Sequence, residues 1–136
     1  MPQTTVVSDD VDLLIRYDDA IAEADRVRGL WLSGKLGTHK VAGESRAPAE
    51  YTDAVRACDI LLQELTRRRL PQEFAAAELA ITKASKKSQA TYAAYAGGRV
   101  DINTYIKASE AVTDAFAAAD AVKQKALAEV RAEVTP

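Results

Sequence analysis

Along nearly the whole chain, apolar residues return at alternating spacings of three and four, the period of a helix that turns one side to a core. Residues that stop helices interrupt this pattern, and the pieces predict helices over about 9–35, 48–69, 71–96 and 101–134, with a loop over 36–47. No strand of consequence is expected; "TTVV" over 4–7 is the nearest candidate. The predicted fold class is all-α, an antiparallel bundle of about four helices in a single domain, 1–136, with a long C-terminal helical hairpin.

The hairpin is the clearest part of the pattern. Gly97-Gly98 makes a tight turn, Asp101 is placed to cap the helix that follows, and Pro71 suits the first turn of the helix before. Counting back from the turn, Tyr95, Tyr92, Ser88, Ala84, Ile81 and Ala77 form one seam; counting forward, Ile102, Tyr105, Ser109, Val112, Phe116 and Ala119 form the other. Helix two offers Tyr51, Val55, Cys58, Leu61, Leu62 and Leu65 as an apolar layer to cover that hairpin. Helix one is less orderly, because the seam Val11, Leu14, Asp18, Ile21, Asp25, Arg28, Leu32 puts two acids and an arginine where apolar residues belong. Two readings follow. Either Asp25 pairs with Arg28 and Asp18 with a basic residue of a neighbouring helix or with water, or Asp18, Asp25, Arg28 and Trp31 form the contact with a partner chain.

Composition sharpens this picture. Of 27 alanines, 19 lie from residue 71 onward, so the hairpin backbones can approach closely. The four segments 1–34, 35–70, 71–100 and 101–136 carry net charges of −4, +2, +2 and −2, so acidic outer helices attract basic middle ones within a chain or between copies. No apolar run is long enough to span a membrane and the first residues lack the features of a signal peptide, so the expected location is cytoplasmic, or within a viral or cellular assembly. The lone Cys58 sits on an apolar helix face, where a thiol is inert packing.

Candidate chemistry is sparse. "GLWLSGKLG", residues 29–37, nearly spells a phosphate-binding loop, but Leu36 stands where a magnesium-ligating hydroxyl belongs and a helix precedes it where a strand is required. It reads instead as a helix end, with Gly34 or Gly37 as the stop and Lys35 at the negative terminus. His39 is the only histidine, no Glu-x-x-His pair exists, and the adjacent pairs Asp9-Asp10 and Asp18-Asp19 splay around a helix. An enzyme, a cofactor and a small-molecule substrate are therefore not expected. A nucleic-acid site would rest on Arg67, Arg68 and Arg69 with Lys83, Lys86 and Lys87, clusters about 20 Å apart along a helical axis and lacking interleaved aromatics.

Trp31-Leu32-Ser33-Gly34 resembles, with one residue more, the Trp-x-Gly turn of the small secreted helical-hairpin proteins of the type VII pathway. The resemblance covers four residues of 136 and implies a turn between two helices and export; no Tyr-x-x-x-Asp/Glu tail follows the last helix. The function expected from the whole pattern is that of a non-enzymatic helical interaction protein. It would be a structural subunit or accessory factor of a larger assembly, such as a bacterial or bacteriophage complex, binding protein partners, itself included. A helical regulator that binds nucleic acid is the alternative, and a small secreted helical-hairpin protein of the type VII pathway, as the resemblance implies, is the second.

Overall fold

A computed structural model describes residues 9–36, 39–41, 44–46 and 48–134. Four helices make up most of it: α1 (Asp9–Leu32), α2 (Ala49–Arg69), α3 (Pro71–Ala96) and α4 (Ile102–Val134). The fold class is all-α, with α1 packed on α2 and α3 on α4. Between α1 and α2, where a plain loop is expected, β1 (His39–Val41) and β2 (Glu44–Arg46) pair antiparallel, His39 opposite Arg46 and Val41 opposite Glu44. Ala42 and Gly43 join them in sequence, the length a tight hairpin uses. Three-residue strands are too short to print an alternation, which is why the pattern hid them. The "TTVV" segment and Gly37 lie outside the described residues.

Both glycine stops that can be described close their helices in the same way. At the end of α1 the Lys35 N–H donates to the Leu30 carbonyl at 2.9 Å and the Gly34 N–H to the Trp31 carbonyl at 3.0 Å, with Gly34 at φ +78°. At the end of α3 the Arg99 N–H donates to Ala94 at 2.8 Å and the Gly98 N–H to Tyr95 at 3.0 Å, with Gly98 at φ +73°. This crossed pair of bonds around a left-handed residue satisfies the last carbonyls of each helix. It also places the end of α1 at Leu32, three residues before the predicted 35. Pro71 opens α3 with Glu73 in its first turn, and Leu70 before it supplies no side-chain cap. Asp101 caps α4: its Oδ1 accepts from the Thr104 N–H at 3.0 Å and from the Thr104 hydroxyl at 2.9 Å.

Within the 136-residue chain two compact units form, residues up to Leu65 with Glu129 onward, and Thr66 to Ala128. In the first, Leu13, Leu14 and Val27 of α1 are buried, and Tyr17, Ala20, Ala24 and Trp31 are half-buried. The packed stripe of α1 is thus Leu13, Tyr17, Ala20, Ala24, Val27, Trp31, a regular four-three repeat. The seam expected through Asp18, Asp25 and Arg28 is not the packed face: those three residues are exposed, and Leu32 is 70% exposed. Alanines set the true stripe because they let α2 come close, where the larger Ile21 and Leu32 would hold it away. On α2 the apolar positions that are buried or half-buried are Tyr51, Ala54, Cys58, Leu61, Leu62 and Leu65, with Val55 turned outward. These residues belong to the same unit as α1, where Trp31 meets Tyr51 edge-on at 5.3 Å. Val130, fully buried, adds the end of α4 to this core.

The second unit is the α3–α4 hairpin, antiparallel because Tyr92 meets Tyr105 near the turn while the Lys125 Nζ donates to Glu73 at 3.0 Å at the far end. Phe74, Ala77, Ile81, Ala84 and Ser88 of α3 face inward, as the spacing predicts for the last four. On α4 the packed repeat is Tyr105, Ala108, Val112, Ala115, Ala119, Val122 and Ala126. Ile102 and Phe116, expected in that seam, lie outside it.

Candidate partner-binding surface

The four residues expected to meet a partner from α1 do not form one patch. The Trp31 ring is half-buried against Tyr51 and helps close the α1–α2 pair. Asp18 accepts both terminal nitrogens of Arg131, at 2.8 and 3.2 Å, which matches the expectation of a basic partner on a neighbouring helix. This bidentate bond holds the Arg131 guanidinium above its ordinary pKa. Both side chains are about half exposed, so water screens most of the pair's energy. Among the described residues no ion pair joins Asp25 to Arg28. Instead Glu23 pairs with Arg26 one turn away; the bonded guanidinium draws the Glu23 carboxyl below its usual range. These two residues edge a groove of about 360 Å³ whose apolar wall is Val27, Leu30 and Leu36.

The same unit holds the groups a chemist would try first as nucleophiles. Burial pushes the Cys58 thiol up from its ordinary value, with Asp59 adding repulsion, so the thiol stays protonated at neutral pH. Tyr17 is raised as well, first by burial and then by Cys58. Among the described residues no group of three His, Cys, Asp or Glu side chains converges to hold a metal. The glycine stretch is settled by its hydrogen bonds: the Gly34 and Lys35 N–H groups already serve helix carbonyls and do not point toward a phosphate. No described helix is long and apolar enough to cross a membrane.

The basic residues are dispersed. Arg67 lies with its guanidinium 5.1 Å from the centre of the Phe74 ring, stacked within its own unit. Arg68 and Arg69 also have internal interactions. Lys83, Lys86 and Lys87 are exposed on α3, and Lys87 shares a groove of about 220 Å³ with Thr91, Thr104 and Lys107. Tyr92 and Tyr105 line a different groove from Lys87 and Lys107, so these cations and rings are not interleaved as single-strand binding requires.

What stands out instead is a second stripe on α4. Ile102, Ile106, Ser109, Thr113 and Phe116 follow the same four-three spacing as the packed repeat but lie beside it, with Ile102 49%, Ile106 43% and Phe116 55% exposed. The charges of this stretch, Lys107, Glu110 and Asp114, fall about 80–140° away around the helix. Tyr92 and Tyr105 extend the stripe toward α3, their rings 5.4 Å apart, and with Ser88 and Gln89 they line a groove of about 300 Å³. Tyr95 stacks on Tyr105 at 6.2 Å and 13°. A helix with two seams can take neighbours on two sides; α3 packs on the first of these, and the large apolar residues of the second are exposed. The sequence held a signal for this: the alanines at 108, 115, 119 and 126 mark the close-packed seam, leaving the larger Ile106 and Phe116 to a different face.

No family model, curated protein or solved structure matches the chain.

Proposed function

We propose that the protein is a non-enzymatic helical interaction protein, a subunit or accessory factor of a larger assembly, that docks through the exposed face of its α3–α4 hairpin. The observation that carries this reading is the uncharged stripe Ile102, Ile106, Ser109, Thr113, Phe116, flanked by Tyr92 and Tyr105. Interface centres are poor in charge and rich in tyrosine and large apolar groups, and this stripe has that composition over four turns. The docking face therefore moves from α1, where Trp31 and Asp18 have internal partners, to α4.

The test compares wild type with an Ile106→Glu/Phe116→Glu variant, each first checked by circular dichroism for unchanged helicity. Both serve as bait in an extract of the cells that express the protein, and the variant is expected to lose the proteins that wild type retains. Equal capture by both would overturn the reading. So would loss of salt-sensitive DNA binding in an Arg67→Ala/Arg68→Ala/Arg69→Ala variant, because binding that falls with salt marks phosphate contacts.

A further inference from the structure

We propose that the partner on the second stripe of α4 is a second copy of this chain, laid antiparallel about a two-fold axis near residue 111; this inference rests on the docking reading above. A stripe that pairs with itself must present matching chemistry on both sides of its midpoint, because a two-fold contact sets each residue against a symmetry mate. Antiparallel helices with four-three stripes pack in alternating layers, and one register sets Ile106 against Phe116 of the other copy and Ser109 against Thr113. In that register the two outer layers are apolar on apolar and the two inner layers are hydroxyl on hydroxyl. No charge enters these four layers; the next layer on either side sets Ile102 against Asp120 of the other copy and ends the apolar contact there. The register one layer shifted sets Ile106 against Ser109 and Ile102 against Thr113, leaving the Phe116 ring opposite the turn at Arg99.

The size of the face agrees with a modest, reversible dimer. Ile106, Phe116, Tyr92 and Tyr95 are each roughly half exposed, so at about 80–100 Å² apiece two copies offer about 700 Å², the size of a weak, transient contact. Dissociation on the order of micromolar is expected, with monomer at high dilution. The Ser109–Thr113 layers add directional hydrogen bonds that fix the register, since a slip would set hydroxyls against the apolar pair.

The experiment uses the full chain in sedimentation velocity over a concentration series. Wild type is expected to pass from monomer to dimer, while Ile106→Lys and Phe116→Glu, each folded by circular dichroism, remain monomeric at the highest concentration. Mixing these two variants decides the register. In the mixed dimer the introduced lysine meets the introduced glutamate at one outer layer and the native Ile106–Phe116 contact survives at the other, so mass near that of a dimer returns only in the mixture. Wild type that stays monomeric throughout overturns the second-copy inference; the docking reading then stands or falls on the extract experiment alone. A dimer untouched by either variant, or variants that the mixture does not rescue, overturns it too, by placing self-association on another face or in another register.

Discussion

Gly97 and Gly98 are neighbours with opposite demands. Gly98 sits at φ +73°, where a side chain costs about 1–2 kcal/mol, whereas Gly97 at φ −85° is ordinary for any residue and an added Cβ meets the Ala93 carbonyl only at 3.4 Å. Gly98→Ala should therefore lower the melting temperature and Gly97→Ala should leave it nearly unchanged, both read by thermal denaturation. Asp101 gives the pH counterpart. Hydrogen bonds from Thr104, backbone first, hold its carboxyl below the usual range. A depressed folded pKa means the cap stabilises above the unfolded value and is lost as pH falls through the folded one. Lowering the pH below about 4 should then fray the start of α4 in wild type, while Asp101→Asn should lose that acid dependence; amide exchange at Asn103 and Thr104 reads both. These local devices were legible because each is written in one or two residues. Gly98, Pro71 and Asp101 stand where sequence rules place them, and Gly34 is one of two glycine stops, with Gly37, that the pattern offers equally.

At the scale of a helix, pattern reading succeeded in locating elements and failed in choosing faces. On α1 and α4 the eye takes the largest apolar residues as the seam, Ile21 and Leu32 on one, Ile102 and Phe116 on the other. Packing took the alanines instead, since burial at a close helix contact is limited by space rather than by hydrophobicity. The polar residues on the supposed α1 seam thus reflect an error of register, and the exposed stripe on α4 is obscured because Ile102, Ser109 and Phe116 share the seam predicted for the core. A substitution checks the seam now identified. Ala108 is buried between α3 and α4, whereas Ala121 is exposed on the same helix. Ala108→Leu should overpack the hairpin and cost about 1–3 kcal/mol by denaturant titration, while Ala121→Leu should cost little. Equal midpoints would show that the packed repeat lies elsewhere.

For the molecule as a whole, the two units should answer alkali differently. Tyr17 and Cys58, both held above their ordinary values chiefly by burial, lie in the first unit. A raised folded pKa on an acid contributes stability that is complete below the unfolded pKa and is lost as pH rises through the folded one. The window opens where free thiols and phenols titrate, from about 8.5 to about 10 and above. Amide exchange in α1 should therefore accelerate across that window before exchange in the middle of α3, and Tyr17→Phe should remove part of the effect.

The pair Asp18 and Arg131, with buried Val130 beside it, also sets an order of events in time. A chain leaves the ribosome from its N-terminus, so α1 is synthesised early yet reaches its last packing neighbours only when Glu129 to Val134 have emerged. The hairpin has no such wait: its two helices are joined by five residues, and contacts made across short separations form soonest. Of the four helices, the first to be made is therefore the last to be completed. During synthesis its exposed apolar stripe, Leu13 through Trp31, depends for cover on α2 alone, which makes this interval the one in which a truncated or stalled chain is most open to aggregation.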